Sequence, residues 1–197
     1  MDAFKISIKL FAEKDLLGHA DVVPVFHRWI QGNLLADHLL IDVADYAHVP
    51  SGPGTVLVSS QANLYTDRGE NRLGLLYTRK LPLEGTFRHR LASVLGSALT
   101  AAAMLEQEPS LAGKLKFRAD ELLIRINDRL LAPNTEATFN EIKPDVAAVA
   151  ERVYGGSPVT IGFKPSELKL FEVTVKAGQA PAIQNMIDNI SAASTNQ

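Results

Sequence analysis

Hydrophobic and polar residues alternate along much of this chain, and the alternation predicts a sheet built from hairpins. The segment "FKISIKLFA" places Phe4, Ile6, Ile8 and Leu10 on one face and lysine or serine on the other, which is typical of a half-buried strand. The turn sequences "TDRGEN", "RAD" and "KPSE" each predict a hairpin, the first with Gly69 at a positive φ. Further strands are predicted at residues 38–46, 55–65, 72–79, 114–117, 121–127, 159–163 and 168–176.

Four helices are predicted between these strands. The longest runs from Thr86 to Glu108, where apolar residues recur every three or four positions and Pro109 ends the pattern. A helix over 21–31 begins with Asp21 as its cap, and a third begins at Asn134 or Thr135 and ends at "YGG". A last short helix is expected near Pro181.

These elements predict one α+β domain over residues 1–190, with a mainly antiparallel sheet, helices packed on one face, and a flexible tail at 191–197. The strand at 72–79 is apolar on both faces and should be central. The sequences "FRADEL" and "FKPSEL" lie 46 residues apart, each at a predicted hairpin turn. They indicate a repeated helix–strand–strand unit at 86–131 and 132–177, unless two short hairpins share turn chemistry by chance.

Composition narrows the class of protein. With 22 acidic and 20 basic residues and a net charge of -2, the chain lacks the basic balance of a nucleic-acid binder. The chain has no cysteine, so disulfides and thiolate-bound metals are excluded, and we expect no cofactor. The N-terminal segment is interrupted by charges, unlike a signal peptide, and no apolar window is long enough for a membrane span. The sequence therefore predicts a cytoplasmic protein.

Several segments carry a resemblance. The sequences "VVPVFHRWIQ", "HLLIDVADYAHV", "GPG", "RLGLLYTRK" and "INDRLLAPNT" resemble an uncharacterised group of bacterial conserved hypothetical proteins, over residues 20 to about 175. The group has no established activity, so the resemblance implies a bacterial cytoplasmic protein and assigns no catalytic residue. Phosphate-loop, dinucleotide-binding, nucleophile-elbow and zinc-protease motifs do not occur in the sequence.

The segment "DVVPVFHRWIQGN" contains the first candidate site. On a helix, Trp29 should anchor the apolar face, with His27 at its edge and Arg28 beyond. One interpretation is an ordinary amphipathic helix whose histidine bonds a backbone carbonyl. The other is a polar pocket over the sheet, in which His27 and Arg28 contact a ligand and Trp29 forms a wall.

The segment "IDVADYAHVP" contains the second candidate. Asp42 and Tyr46 share one face of the predicted strand, and an aspartate among aliphatic residues needs a partner, for which Arg28, His27 or Arg72 could serve. We therefore expect Asp42 to be at least partly buried, either in a structural ion pair or in a site.

Three further features could contribute to a metal or anion site. A metal site from Asp42, Asp45 and His48 is disfavoured, because strand alternation separates the two aspartates. Arg79, near a strand end, could bind an anion or pair with Glu84. The start of the helix at Asn134 could also receive an anion, although its capping side chain favours a structural role.

Two classes of function remain open on the sequence. One is a non-catalytic module that binds a second copy or another protein, since hairpin sheets often pair their edges across a dimer. The other is a protein or enzyme that binds a small anionic molecule in a pocket between the 21–31 helix and the 39–46 strand. Candidate ligand-binding residues are His27, Arg28, Asp42, Tyr46, Arg72 and Arg79.

Overall fold

A computed structural model describes residues 1–18, 20–46, 49, 52–179 and 181–192. The helices are α1 (Val23–Gly32), α2 (Phe87–Gln107), α3 (Glu136–Val153) and α4 (Ile183–Ser191). The strands are β1 (Ile6–Ala12), β2 (Leu40–Asp45), β3 (Thr55–Ser59), β4 (Ala62–Asp67), β5 (Gly74–Arg79), β6 (Phe117–Ile126), β7 (Val159–Phe163) and β8 (Phe171–Ala177). The tail was predicted at 191–197, but Ser191 is the last residue of α4, and residues 193–197 lie outside the described residues.

All eight strands form one antiparallel sheet in the order β2-β3-β4-β5-β1-β6-β8-β7. The α+β prediction is confirmed, and the apolar strand β5 is central as expected. The helices pack on one face, with α2 along β1 and β5, α1 over β2 and α3 over β7. No helix among the described residues is long and apolar enough to cross a membrane. The sheet ends in two edge strands, β2 and β7.

Alternation along β1 separates the two faces of the sheet. Ile6, Ile8 and Leu10 lie in the hydrophobic core under the helices. Ser7 and Lys9 point to the other face, yet both are buried. That face is mixed: Leu76 and Leu123 lie directly opposite Lys9, and the buried polar groups form hydrogen bonds and ion pairs, as expected for such groups.

The single strand predicted at 55–65 is wrong, because β3 and β4 form a hairpin that turns at residues 60–61. The turn contains no glycine, proline or asparagine. Instead, the Ser59 hydroxyl donates to the Ala62 carbonyl and accepts from the Ala62 amide, at 2.6 and 3.0 Å. Hydrogen bonds from the Ser59 side chain therefore close this turn in place of the usual turn residues.

The hairpin predicted at "RAD" is also wrong, since β6 continues unbroken through it. Phe117 pairs with Ala12 of β1 after a register shift, and the Phe117 amide donates to Glu106 at 2.7 Å. Arg118 and Asp120 pair with each other along the strand instead of forming a turn. The range 86–131 thus holds a helix and one strand, whereas 132–177 holds a helix and two.

The hairpin at 66–71 is confirmed, but its left-handed residues are Glu70 and Asn71, with φ of 57° and 54°, and not Gly69. Lys9 fixes this conformation by donating to the Gly69 carbonyl at 2.7 Å and to Glu70 at 2.9 Å. Contacts from a distant strand thus decide which residues take the left-handed conformation.

Most helix ends lie where the sequence predicts them. Thr86 caps α2, Thr135 caps α3, and Gly155 has a φ of 60° after α3, as predicted. The predicted cap of α1 is wrong, because the helix begins at Val23 without a side-chain cap. Asp21 instead accepts from the Gly18 amide and pairs with Lys114.

Candidate functional site

Arg28 and Trp29 of α1 form a structural contact with Glu108 at the end of α2. Trp29 is buried, at 1% exposure, and its Nε1 donates to Glu108 Oε1 at 2.8 Å. Arg28 Nη2 donates to the other oxygen of the same carboxylate at 2.6 Å. His27 is exposed. The indole therefore fills the space between helix and sheet where a pocket was considered.

Asp42 is exposed, so its predicted burial is wrong. Among the predicted partners, Arg28 pairs with Glu108 and Arg72 with Glu121. The physical reason is topological: β2 is an edge strand, and its register shifts between Leu40 and Asp42. Asp42 Oδ1 accepts from the Val43 amide at 2.8 Å, so the partner it does have is its neighbouring backbone.

We expect Asp42→Ala to leave the free energy of unfolding within about 0.5 kcal/mol of the parent protein, as is usual at exposed positions. No buried partner is abandoned, since the Val43 amide at the open edge regains water. Chemical denaturation monitored by circular dichroism measures this difference. A loss above about 1 kcal/mol would show that the carboxylate is needed by a buried group.

The side chains of Arg72 and Arg79 also form hydrogen bonds with other groups of the protein. Arg72 donates to both carboxylate oxygens of the buried Glu121, at 3.0 and 2.9 Å, and its guanidinium lies 3.8 Å from the centre of the Phe11 ring. Hydrogen bonding from Arg72 lowers the pKa of Glu121 despite its burial. Arg79 Nε donates to the Leu81 carbonyl at 3.0 Å. A bidentate pair with a buried carboxylate indicates that Arg72 has a structural role.

The structure does not gather the predicted ligand residues into one site. Two cavities stand out on the surface, and neither is lined by His27, Arg28, Asp42 or Tyr46. Among the residues that the structure describes, no three His, Asp or Glu side chains are grouped to hold a metal ion. His48, a member of the disfavoured metal site, lies outside them.

A buried histidine–tyrosine pair was missed by the sequence reasoning. His38 Nε2 lies 2.7 Å from the Tyr77 hydroxyl, and His38 Nδ1 lies 2.7 Å from the Ala36 carbonyl. A carbonyl only accepts, so Nδ1 carries the proton and Nε2 accepts from Tyr77. Burial lowers the pKa of His38 below its ordinary 6.5 and raises the pKa of Tyr77 above 10. Both groups are therefore neutral near pH 7.

We expect the protein to lose stability as the pH falls through the range below 6.5, because of His38. Its pKa is lower in the folded state than in the unfolded state, so acid protonates the unfolded state first and draws the equilibrium towards it. Above pH 6.5 the contribution of His38 to stability is complete. It is lost as the pH falls from 6.5 to the lower pKa of His38 in the folded state. The change in melting temperature between about pH 7 and pH 5.5 should shrink in His38→Gln. An unchanged pH dependence in that variant would contradict the assignment.

The two edges of the sheet differ in how they are protected. At β2, the Tyr46 amide donates to Gly54, so ladder alternation turns the backbone of Val43 outward, where Asp42 occupies its amide. At β7, the Gly178 amide donates to Pro158, which turns the backbone groups of Val159, Ile161 and Phe163 outward. The sequence of β7, "VTIGF", has no charge and no proline. Its lack of charge was visible in the sequence, but its place at the edge was not.

Comparison with known proteins identifies no family for this chain. No family model, curated protein or solved structure matches the chain.

Proposed function

We propose that this protein is a non-catalytic, self-associating module, in which the β7 strands of two copies pair antiparallel across a twofold axis. The pairing would join two eight-stranded sheets into one. A single observation carries the proposal: β7 is an edge strand with outward backbone groups and no charge along its length. Proteins that remain monomeric usually protect such an edge with lysine, proline or a bulge.

The contrast with β2 supports β7 as the paired edge. The sequence of β2 contains two aspartates, and Asp42 already occupies the outward Val43 amide. Charges on an edge strand oppose pairing with another strand, and like charges directly opposite each other are destabilising. The chain thus protects one edge of its sheet and leaves the other unprotected, which is the pattern expected of a closed dimer.

The sequence of β7 is complementary to itself in the antiparallel register centred on Ile161. In this register Ile161 faces Ile161 of the second copy, Val159 faces Phe163, and Thr160 faces Gly162. Each large or branched side chain thus meets an apolar or small partner, and no charge faces another. Because Ile161 has outward backbone groups, the axis would pass through a hydrogen-bonded pair.

A further expectation concerns cell location and source. We propose that the module works in the bacterial cytoplasm, an idea supported by the absence of cysteine and by the resemblance of its segments to bacterial sequences. A nucleic-acid partner is disfavoured by the net charge of -2.

Sedimentation analysis at micromolar protein concentration tests the proposal. We expect a species of twice the 21.4 kDa of one chain. Ile161→Lys should sediment as a monomer, because two ammonium groups would meet on the axis. Val43→Lys is the matched control, since Val43 is also half-buried, β-branched and on an edge strand. Circular dichroism confirms that both variants fold.

A parent protein that sediments only as a monomer would overturn the proposal. A dimer that Val43→Lys dissociates and Ile161→Lys leaves intact would move the interface to β2. A dimer unaffected by both variants would show that neither edge pairs.

A further inference from the structure

Three exposed leucines lie together at the end of the sheet where β6 ends and β8 begins. Leu130 and Leu131 are in the loop after β6, and Leu168 is in the loop between β7 and β8. Their exposed fractions are 95%, 48% and 88%, so the side chains protrude into solvent. Arg129 Nη2 donates to the Leu168 carbonyl at 2.8 Å, which joins the two loops. We call these three leucines the leucine surface, since contiguous exposed apolar side chains mark contact sites whereas single ones are common.

The backbone that carries Leu130 and Leu131 is already hydrogen-bonded within the protein. Asp128 Oδ1 accepts from both leucine amides, each at 3.1 Å, and the Asp128 carbonyl accepts from the Ala132 amide at 2.9 Å. An apolar medium offers no water to backbone groups, so a segment that enters it must satisfy them internally. These leucines can therefore leave water without leaving their own amides unpaired.

The charges beside the leucine surface are mainly positive. Loops 128–133 and 164–170 contain three exposed cations and one exposed acid, namely Arg129, Lys164, Lys169 and Glu167. Their other acid, Asp128, is half-buried beneath the turn that it caps. Neither Arg129 nor Lys164 forms an ion pair among the described residues, and Lys169 lies 3.8 Å from Glu172. Apolar side chains next to lysine and arginine are the combination that binds anionic lipid surfaces.

We propose that the leucine surface binds the surface of an anionic lipid bilayer. Leu130 and Leu168 would enter the boundary between headgroups and acyl chains, and the neighbouring cations would contact lipid phosphates. A bilayer is favoured over a protein partner because neither loop contains an aromatic residue, the usual anchor of protein interfaces. Neither of the two surface cavities is lined by these leucines, so they border no groove that would receive a peptide.

Sedimentation of the protein with vesicles tests this inference. We expect it to bind vesicles of an equimolar mixture of phosphatidylcholine and phosphatidylserine, and to bind phosphatidylcholine alone at least about tenfold more weakly. Leu130→Ser and Leu168→Ser should each weaken binding to the anionic vesicles about tenfold, because each removes a leucine from the apolar layer. Leu16→Ser is the matched control and should bind like the parent, since Leu16 is 56% exposed and follows β1 at the opposite end of the sheet.

Lys164→Gln tests the electrostatic part of the contact. A lysine close to an anionic membrane surface strengthens binding about fivefold, so this variant should bind about fivefold more weakly than the parent. Added salt should weaken the binding of the parent as well. Lys14→Gln, which removes an exposed lysine near Leu16, is the control and should bind like the parent.

An absence of binding to anionic vesicles, equal binding to neutral ones, or equal losses in Leu130→Ser and Leu16→Ser would each overturn the inference. A change in the sedimentation of Leu130→Ser without vesicles would assign the leucines to a contact between copies of the chain, and would also overturn it. Circular dichroism checks that each variant is folded. All of these results leave the β7 proposal standing, since the leucine surface lies beyond the strand ends and Ile161→Lys tests that pairing without lipid.

Discussion

Trp29→Ala lowers the free energy of unfolding by about 3–5 kcal/mol, the usual loss for truncating a buried tryptophan. The indole is 1% exposed, contacts Phe26 with ring centres 5.7 Å apart, and donates to Glu108. Removing it opens a cavity between α1 and the sheet and leaves the partly buried Glu108 with only Arg28. Urea denaturation of the two proteins measures the loss.

His27→Gln is the control for this prediction, since His27 is the exposed neighbour of Arg28 on the same helix. We expect it to change the free energy of unfolding by less than about 0.5 kcal/mol. Trp29→Phe should fall between the two, because it keeps most of the apolar area and loses the hydrogen bond to Glu108. A His27→Gln protein as unstable as Trp29→Ala would contradict the burial of one and the exposure of the other.

Lys9→Met should destabilise the protein by about 3 kcal/mol, at the lower end of the loss for breaking a buried ion pair. The Lys9 side chain is fully buried, and its ammonium contacts Asp67 at 2.5 Å and Glu70 at 2.9 Å. Both carboxylates are partly exposed, which tempers the loss. Lys5→Met, an exposed lysine of the same chain segment, is the matched control and should be nearly neutral.

The pH dependence separates this ion pair from simple packing. Burial opposes ionisation of Glu70, but Lys9 and Arg125 outweigh it and hold the pKa of Glu70 below its ordinary 4.5. The stability that this ionised group provides is present above 4.5 and is lost as the pH falls further. In Lys9→Met, Glu70 keeps Arg125 but loses Lys9, so protonation of Glu70 should cost less than in the parent and the difference in stability should narrow at acid pH. A constant difference at every pH would contradict the electrostatic role.

The sequence predicts those helices and strands whose ends are determined by residues close to them in the chain. The bounds of α2 follow from Thr86, the apolar spacing and Pro109, and these act within a turn or two of the helix. The turn at 60–61 escaped prediction because a serine hydroxyl, and not a glycine or proline, closes it. Residues 118–120 lie in a register shift of β6, which pairs with β1 on both sides of them, at Phe117 and from Leu122 onward, and that strand is more than 100 positions earlier in the chain.

The candidate site was harder to predict, because strand order is not visible in local patterns. The aliphatic neighbours of Asp42 predict that it is at least partly buried, whereas β2 is an edge strand and Asp42 is exposed. His38 and Tyr77 are 39 positions apart, and only the fold brings their polar atoms to 2.7 Å. The strand order also makes β7 an edge strand. Only at an edge does its uncharged sequence indicate a surface that can pair with another strand.

Disulfide trapping at Ile161 tests the β7 pairing most directly, because the chain has no cysteine of its own. In the register centred on Ile161, the two Cα atoms would lie about 5.5 Å apart, within the range that a disulfide spans. Mild oxidation of Ile161→Cys should therefore give a covalent dimer, whereas Val43→Cys, on the protected edge, should stay monomeric under the same conditions. An Ile161→Cys protein that remains monomeric, or that crosslinks no faster than Val43→Cys, would contradict the pairing.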